Sequence, residues 1–483
     1  MATKLEFEDI QGIVISAYSK LTCASYVPLR VDDAPKAKQW LAAMASEVTK
    51  AVKPTGDGPR TNMNLAITHG GLKKLGVPDD VLTTFSFPFI DGMASERRSR
   101  ILGDTEASAP LNWQWGNDAN PVDIILMLYA VDDGTIDSLE TSQAGRAGAS
   151  GMTVLATLRA GRQPDTKEHF GFNDGVGQPT IQGTDLIKGQ KLRTQHATDL
   201  PPGEFLLSYE DAYGTVAPSP TVAASSDPQN LLPRHEDGRT CDLGRNGSYM
   251  VFRQLEQDVA GFWRFVDAAA GADPAARDRM GAKLVGRWRS GTPLVTAPDR
   301  DTWTGPDLNN FNDFNYSSDR NGYACPIGAH IRRTNPRDSL GTDHAASLVT
   351  ANRHRLMRRG RSYGDRLGTE ADPMPMADDG KKRGLHFICF NADLQRQFEF
   401  VQQTWVNNPQ FGGLHDEVDP VIGDQSSCSG MFTIQADPLR ARIKNLCAFV
   451  TMRGGAYAFL PGVRALKWIA TWSAAAMPPP SGT

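Results

Sequence analysis

The stretch CPIGAHIRRTNPR at 325–337 gathers one imidazole, His330, with three arginines and two prolines. Neutral imidazole is the commonest metal ligand among side chains, and guanidinium groups grip carboxylates two-pronged. A ligating histidine beside carboxylate clamps meets the two needs of a haem: an axial bond to iron and partners for two propionates. The prolines bias the backbone away from helix, so His330 is expected on a rigid loop. A histidine among arginines is also an ordinary structural or solvated residue, and from this stretch alone both readings stand.

Two further stretches hold chemistry-bearing residues. HFGFNDGVGQP at 169–179 sets glycines and a proline around Asp174. Such a run permits tight or left-handed backbone and close approach of a ligand; in its bland reading, Asp174 closes a turn through a backbone hydrogen bond. LMRRGRSYG at 356–364 carries Arg358, Arg359 and Arg361, either as a solvated basic patch or as an anion-binding edge.

The elements that must position these residues follow from periodicity. Strands are expected at 10–18, 62–68, 123–130 and 152–159, with helices at 34–52, 72–76 and 135–147. That order approximates a ferredoxin-like βαββαβ unit. The second half repeats it, with strands at 248–254, 355–363, 384–391 and 447–460 and helices at 258–270, 393–406 and 463–471. The expected division is an N-terminal domain at 1–160, a long connecting loop region at 161–245, a C-terminal domain at 246–475 and a frayed tail at 476–483. The connecting region is too long for an ordinary link, and such loops usually carry function.

A chain of 483 residues exceeds one typical domain. The net charge of −4 gives no general attraction to nucleic acid or to an anionic membrane surface. No apolar run reaches the roughly 18 residues of a membrane span. The cysteines at 23, 241, 325, 389, 428 and 447 form no CxxC and no zinc spacing, and read as reduced thiols of a cytoplasmic protein. The start, MATKLEFEDIQG, is acidic and lacks the apolar core of a secretory signal. Nothing in the sequence indicates an oligomer or forbids one.

Taken together and in order, the GxxDG of NDG at 173–175 with its upstream glycine, AHIRRTNPR and RRGRSYG resemble the dye-decolourising peroxidases. DIQG, NLAITHGGLKKLG, FVQQTWVNNPQF, DPVIG and FVTMRGGAYAFLPGVRALKWIA resemble the longer bacterial and fungal branch of that family. The resemblance implies an α+β fold of two ferredoxin-like domains with antiparallel sheets and a haem in the C-terminal one. It implies haem b (iron protoporphyrin IX), held non-covalently, in line with the absence of a CxxCH attachment motif. It implies reduction of hydrogen peroxide, formation of a ferryl-oxo porphyrin radical, and oxidation of dyes, phenolics and other one-electron donors. His330 matches the proximal ligand, Asp174 the distal acid–base residue and Arg358 the distal arginine, since the register Arg-x-Gly-x-x-Tyr-Gly favours it over Arg359. Arg332 and Arg337 are candidates for the propionates. Leu385 and Phe387 match residues lining the distal pocket, with plain core packing as the alternative. A proximal histidine donates its second N–H to an acceptor, for which Asp419 is the choice and Glu417 and Glu399 the second choices. Trp405 and Tyr363 are candidates for an electron relay to substrates too bulky for the pocket.

The chemistry agrees with these assignments. Peroxide must move a proton from its inner to its outer oxygen before the O–O bond breaks, and a carboxylate can take and return it. A fixed guanidinium stabilises the charge developing on the oxygens. An aspartate, with a reference pKa near about 3.9, stays a usable base where a histidine near about 6.5 would be protonated, so an acidic optimum is expected. Two competing readings are a haem-handling protein with incidental peroxidase activity, and a haem-free protein that binds a small anion through its arginines.

Overall fold

Residues 124–130 read as a continuous apolar run because that strand is buried at every position, covered on both faces. In the computed structural model, which describes residues 4–53, 56, 58–184, 199–302, 309–369, 372–425 and 427–472, it is one of four strands that, with the three-residue strand Met152–Val154, form the N-terminal half of the sheet. These are β1 (Cys23–Val31), β2 (Thr61–Ile67), β3 (Ile124–Ala130) and β4 (Leu158–Gly161). β3 lies between β2 and β1, and β1 pairs on its far side with β4, all antiparallel. Helix α1 (Ala34–Glu47) follows β1 and α2 (Asp133–Ala149) follows β3.

The C-terminal half repeats this order with β5 (Ser248–Gln257), β6 (Arg361–Tyr363), β7 (Gly384–Asn391) and β8 (Val450–Leu460). β7 lies between β6 and β5, and β5 pairs with β8. Its helices include α3 (Val259–Ala270), α4 (Pro274–Val285), α5 (His330–Thr334) and α6 (Val463–Thr471). The fold is α+β, a duplicated ferredoxin-like unit, as expected. The frayed tail expected at 476–483 lies outside the described residues.

The two sheets meet at both edges. β8 touches β2 at Phe459 and Ile67, and β4 touches β6 at Gly161 and Ser362. Each sheet therefore covers the open edges of the other and the strands close into a barrel, so that among the described residues the main barrel strands present no long unpaired ladder to recruit another chain. Side chains alternate between the two faces. Tyr26, Met127, Tyr129, Phe252, Ile388 and Phe390 pack inside the barrel. Leu126, Leu128, Tyr249 and Val251 pack outside, with Trp40, Leu41 and Met44 of α1 and Leu466 and Trp468 of α6.

Several local expectations are corrected. Residues 10–18 are turns, not a strand: Arg359 donates to the carbonyls of Ile13, Val14 and Ile15, so one guanidinium stands where a neighbouring strand would. β1 escapes the sequence pattern because Pro28 interrupts it. It is tolerated because β4 ends at the Tyr26–Leu158 pair and the segment Met152–Val154 begins pairing only at Leu29, so the missing N–H falls in the gap. The strand expected at 152–159 is split at the same place. The helix expected at 393–406 is wound wide, with Glu399 N–H donating to the Leu394 carbonyl and Asn407 N–H to that of Gln402; such π-turns are frequent at functional sites. Cys428 and Cys447, expected as thiols, are joined in a disulfide beside the hairpin Gly430–Ile434 and Ala441–Leu446. Their spacing matches no motif, and cysteine usage no longer argues for a reducing compartment. No helix among the described residues is long and apolar enough to cross a membrane.

His386 on β7 faces the barrel interior. It is 1% exposed, neither ring nitrogen has a partner among the described residues, and its ring stacks on Tyr363 at 4.5 Å. Burial disfavours the charged ring and pushes its pKa down to about 3. The unfolded chain takes up this proton first, near about pH 6.5, so stability from this group is lost as pH falls below that value. The loss between pH 7.5 and pH 5 is about 2 kcal/mol. His386→Phe keeps a ring and removes the titration. Its unfolding free energy relative to wild type is expected to rise by about that amount over the same interval, measured by denaturant titration. An identical difference at both pH values would contradict a buried neutral imidazole.

Candidate active site

His330 opens the five-residue helix α5 and does not sit on a loop. Pro326 and Pro336 bracket the helix and do not interrupt it, which the expectation of a rigid loop overlooked. His330 Nδ1 donates to the Asp419 carboxylate, at 2.9 Å to Oδ2 and 3.1 Å to Oδ1. Asp419 is fully buried, and its Oδ1 also accepts the N–H groups of Val421 and Ile422. Burial alone would raise its pKa, but the His330 charge and these bonds outweigh it and hold the carboxyl below its ordinary value. Burial likewise pulls the imidazole down, and Asp419 reverses this to a net upward shift. A carboxylate that only accepts fixes the proton on Nδ1 and leaves Nε2 for the cavity that His330 lines. Glu417 bonds instead to Thr433, and Glu399 to Arg98 and Tyr457.

The cavity measures about 1330 Å³, above the roughly 300–1,000 Å³ of ordinary ligand pockets. It lies against the outer face of the C-terminal sheet. Leu385 and Phe387 alternate with His386 on β7 and therefore turn out of the barrel into this cavity. Asp174 lines it from the connecting region. The loop is anchored by Phe170, 4.7 Å from Phe262, and by Phe172, stacked at 6.2 Å on Trp263. Gly171 and Gly175 take φ of 93° and 79°, which explains the glycines around the aspartate. Asp174 Oδ1 accepts the Gly175 N–H at 2.6 Å, so the bland turn contact and the cavity-facing position coexist.

Arg358 also lines the cavity, and its backbone N–H donates to Gln178 Oε1 at 3.1 Å, in the segment that carries Asp174. Its neighbour Arg359 spends its guanidinium on backbone carbonyls. One cavity thus brings together His330, Asp174, Arg358, Arg337, Leu385 and Phe387. Arg332 is not among its walls: its guanidinium pairs with Asp319 at 3.1 Å and lies over the Tyr316 ring. Trp405 is only 4% exposed and packs on His354 and Phe400, so it is not at the surface, and Tyr363 is stacked on His386.

Sequence reasoning missed Arg287 and Arg355, which stand outside every motif. Together with Arg337 and Arg358 they line the cavity, and none of the four is ion-paired with a carboxylate among the described residues. Burial, then the repulsion of Arg337, pushes Arg287 down to about 9; burial, Arg337 and Arg358 do the same to Arg355. Arg287, Arg337 and Arg355 are buried and donate to backbone carbonyls, which leaves their charge unbalanced, and buried cations without counter-charge are incomplete. Two propionates would supply that charge, His330 Nε2 an iron ligand, and Leu385, Phe387, Phe398, Val401 and Val406 an apolar bed for a macrocycle. The residues fit a haem.

Comparison with known proteins agrees with this arrangement. Residues 212–435 match the model of the C-terminal part of the Dyp-type peroxidases. The dye-decolorizing peroxidase of Mycena epipterygia is 31% identical over 445 residues, covering 87% of this chain and 75% of that protein. The multifunctional dye peroxidase of an Amycolatopsis strain is 31% identical over 461 residues, covering 90% of each chain. A solved dye-decolorizing peroxidase in complex with 2,6-dimethoxyphenol superposes with a TM-score of 0.78 at 26% identity, over 97% of this chain and 100% of that one. The chain belongs to the dye-decolourising peroxidase family, and is a haem peroxidase that reduces hydrogen peroxide with electrons from small-molecule donors.

Proposed function

We propose that the chain holds haem b non-covalently, with His330 as the iron ligand, and that Asp174 and Arg358 carry the peroxide step. The observation behind this is one cavity lined by an aspartate-held imidazole, by the Asp174 carboxylate, and by arginines that include Arg287, Arg337, Arg355 and Arg358, none of these four ion-paired with a carboxylate among the described residues. When bound, the haem supplies the iron at which peroxide is cleaved and the oxidising equivalents are held. Asp174 Oδ2, the oxygen not engaged by the Gly175 N–H, takes a proton from the inner oxygen of an entering peroxide and returns it to the outer one. Arg358 presents a fixed positive charge to the peroxide oxygens. Arg337, Arg287 and Arg355 hold the propionates. Arg332 is left out of that set because Asp319 occupies it. Asp419 orients the His330 ring and makes its free nitrogen a better donor. A haem-handling protein needs no such acid and guanidinium in its cavity.

Asp419→Asn tests the ligand assignment. Partners of this kind typically contribute about 10- to 100-fold to metal affinity, so haem should bind that much more weakly in a Soret titration. Unchanged affinity would contradict His330 as the ligand.

Donors are proposed to be dyes and phenolics, of which the dimethoxyphenol bound to the related structure is an example. Trp405 and Tyr363 are proposed to relay electrons from donors that do not enter the cavity. Since Trp405 is buried, it would act as an inner station and not as the docking point. Trp405→Phe should leave the peroxide reaction intact and reduce bulky-dye turnover several-fold, roughly 1 kcal/mol of barrier. Unchanged dye turnover would retire the relay. The division at 1–160, 161–245 and 246–475 belongs to the same proposal, supported by the repeated strand order. So does a cytoplasmic location, testable by cell fractionation.

A further inference from the structure

Resting on the role of Asp174 proposed above, we infer that Glu168 is a positioning residue for the peroxide step, its carboxylate clamping the loop that carries that aspartate. Glu168 lines the cavity at the head of the loop. Its backbone N–H donates to the Phe172 carbonyl, and its own carbonyl accepts the Gly171 N–H, each at 2.9 Å. Its side chain closes the same turn from within: Oε2 accepts the Phe170 N–H at 2.8 Å and Oε1 the Phe172 N–H at 3.0 Å. Oε2 also accepts Gln257 Nε2 at 2.8 Å. Gln257 ends β5, so a single carboxylate gathers three donors and ties the connecting region to the barrel.

Charge-assisted bonds of this kind are about twice as strong as neutral ones. Burial pushes the Glu168 carboxyl up to about 7, against the pull of these bonds and with a further push from the charge of Asp174. The two carboxyls are thus electrostatic neighbours on one loop. On the far side of the turn Asn173 is pinned separately: its N–H donates to the Arg289 carbonyl at 3.2 Å, its amide to that of Ser290 at 3.1 Å, and Thr166 Oγ1 donates to its Oδ1 at 3.1 Å. Asp174 is therefore held from two directions. Among the described residues only Glu168 supplies acceptors for the Phe170 and Phe172 N–H groups, and an N–H left without an acceptor in this wall favours rearrangement of the loop. A displacement of about 1 Å at a reacting group can cost on the order of 100-fold in rate.

The test is Glu168→Gln in the haem-loaded enzyme. The amide keeps the shape and one acceptor, and turns a donor towards N–H groups that need an acceptor. Hydrogen exchange at the Phe170 and Phe172 amides should accelerate. Haem content and the Michaelis constant for a reducing dye should hold, while the peroxide rate constant falls about 10- to 100-fold. In an Asp174→Asn background the same change should cost little more, since residues acting through one group are not additive. Glu168→Asp, which keeps the charge, should restore part of the rate, and it replaces Glu168→Gln in every comparison if the latter does not fold. Unchanged exchange, an unchanged peroxide rate, or an equal loss in the Asp174→Asn background would each overturn the inference. If Asp174→Asn alone leaves the peroxide rate intact, it is the proposed role of Asp174 that fails, and the exchange data still decide whether the clamp exists.

Discussion

Asp174→Asn is expected to slow the reaction of the haem-loaded protein with hydrogen peroxide by about 10²- to 10⁴-fold, the usual contribution of a positioned acid–base group. The substitution is nearly isosteric. An asparagine can still accept the Gly175 N–H through Oδ1, and the backbone bond from residue 174 to the Thr166 carbonyl involves no side chain. The Phe170 and Phe172 anchors on α3 are untouched. What disappears is the second, ionisable oxygen. Haem content should therefore stay at the wild-type level while the stopped-flow Soret change on adding peroxide becomes slow. A variant as fast as wild type would mean that the proton moves through water or another group.

Arg358→Leu is expected to cost about 10²- to 10³-fold in the same rate constant, the range found when one stabiliser of developing charge is removed. The fold has little reason to respond. The bond to Gln178 comes from the backbone, as does the pairing of residues 357 and 358 with β7. Removing this cation also relieves the repulsion that Arg355 feels, so haem retention should not suffer through lost packing. Under the proposed roles Asp174 and Arg358 act on one peroxide, so their losses should fall short of additive in the double variant. Full additivity would place them on separate steps.

How much of this was legible in the sequence depended on whether a property is local. β3 and β7 were visible because burial and alternation are written in consecutive residues. β1 was hidden by Pro28, whose tolerance depends on where two other segments stop pairing. Residues 10–18 alternate like a strand, yet their carbonyls are met by an arginine nearly 350 positions away. The closure of two sheets into one barrel rests on single contacts at Phe459 and Ser362 that no pattern announces. In the site, His330, Asp174 and Arg358 stood in motifs, and Asp419 in a short signature. Arg332 stood in a motif too, but its side chain turns to Asp319, because sequence spacing does not say which way a helical residue points. Arg287 and Arg355 belong to the site only through the cavity. Glu168 could have been found as the acidic residue heading the GFNDG loop, since a buried turn with bare N–H groups needs an acceptor.

The most direct test is an anomalous difference map collected at the iron edge from crystals of the haem-loaded protein. The expected map has one strong peak within bonding distance of His330 Nε2, with Asp174 and Arg358 on the other face of the macrocycle and Arg337, Arg287 and Arg355 at its propionates. Iron bonded to any other side chain, or Asp174 and Arg358 on the same face as His330, would contradict the account.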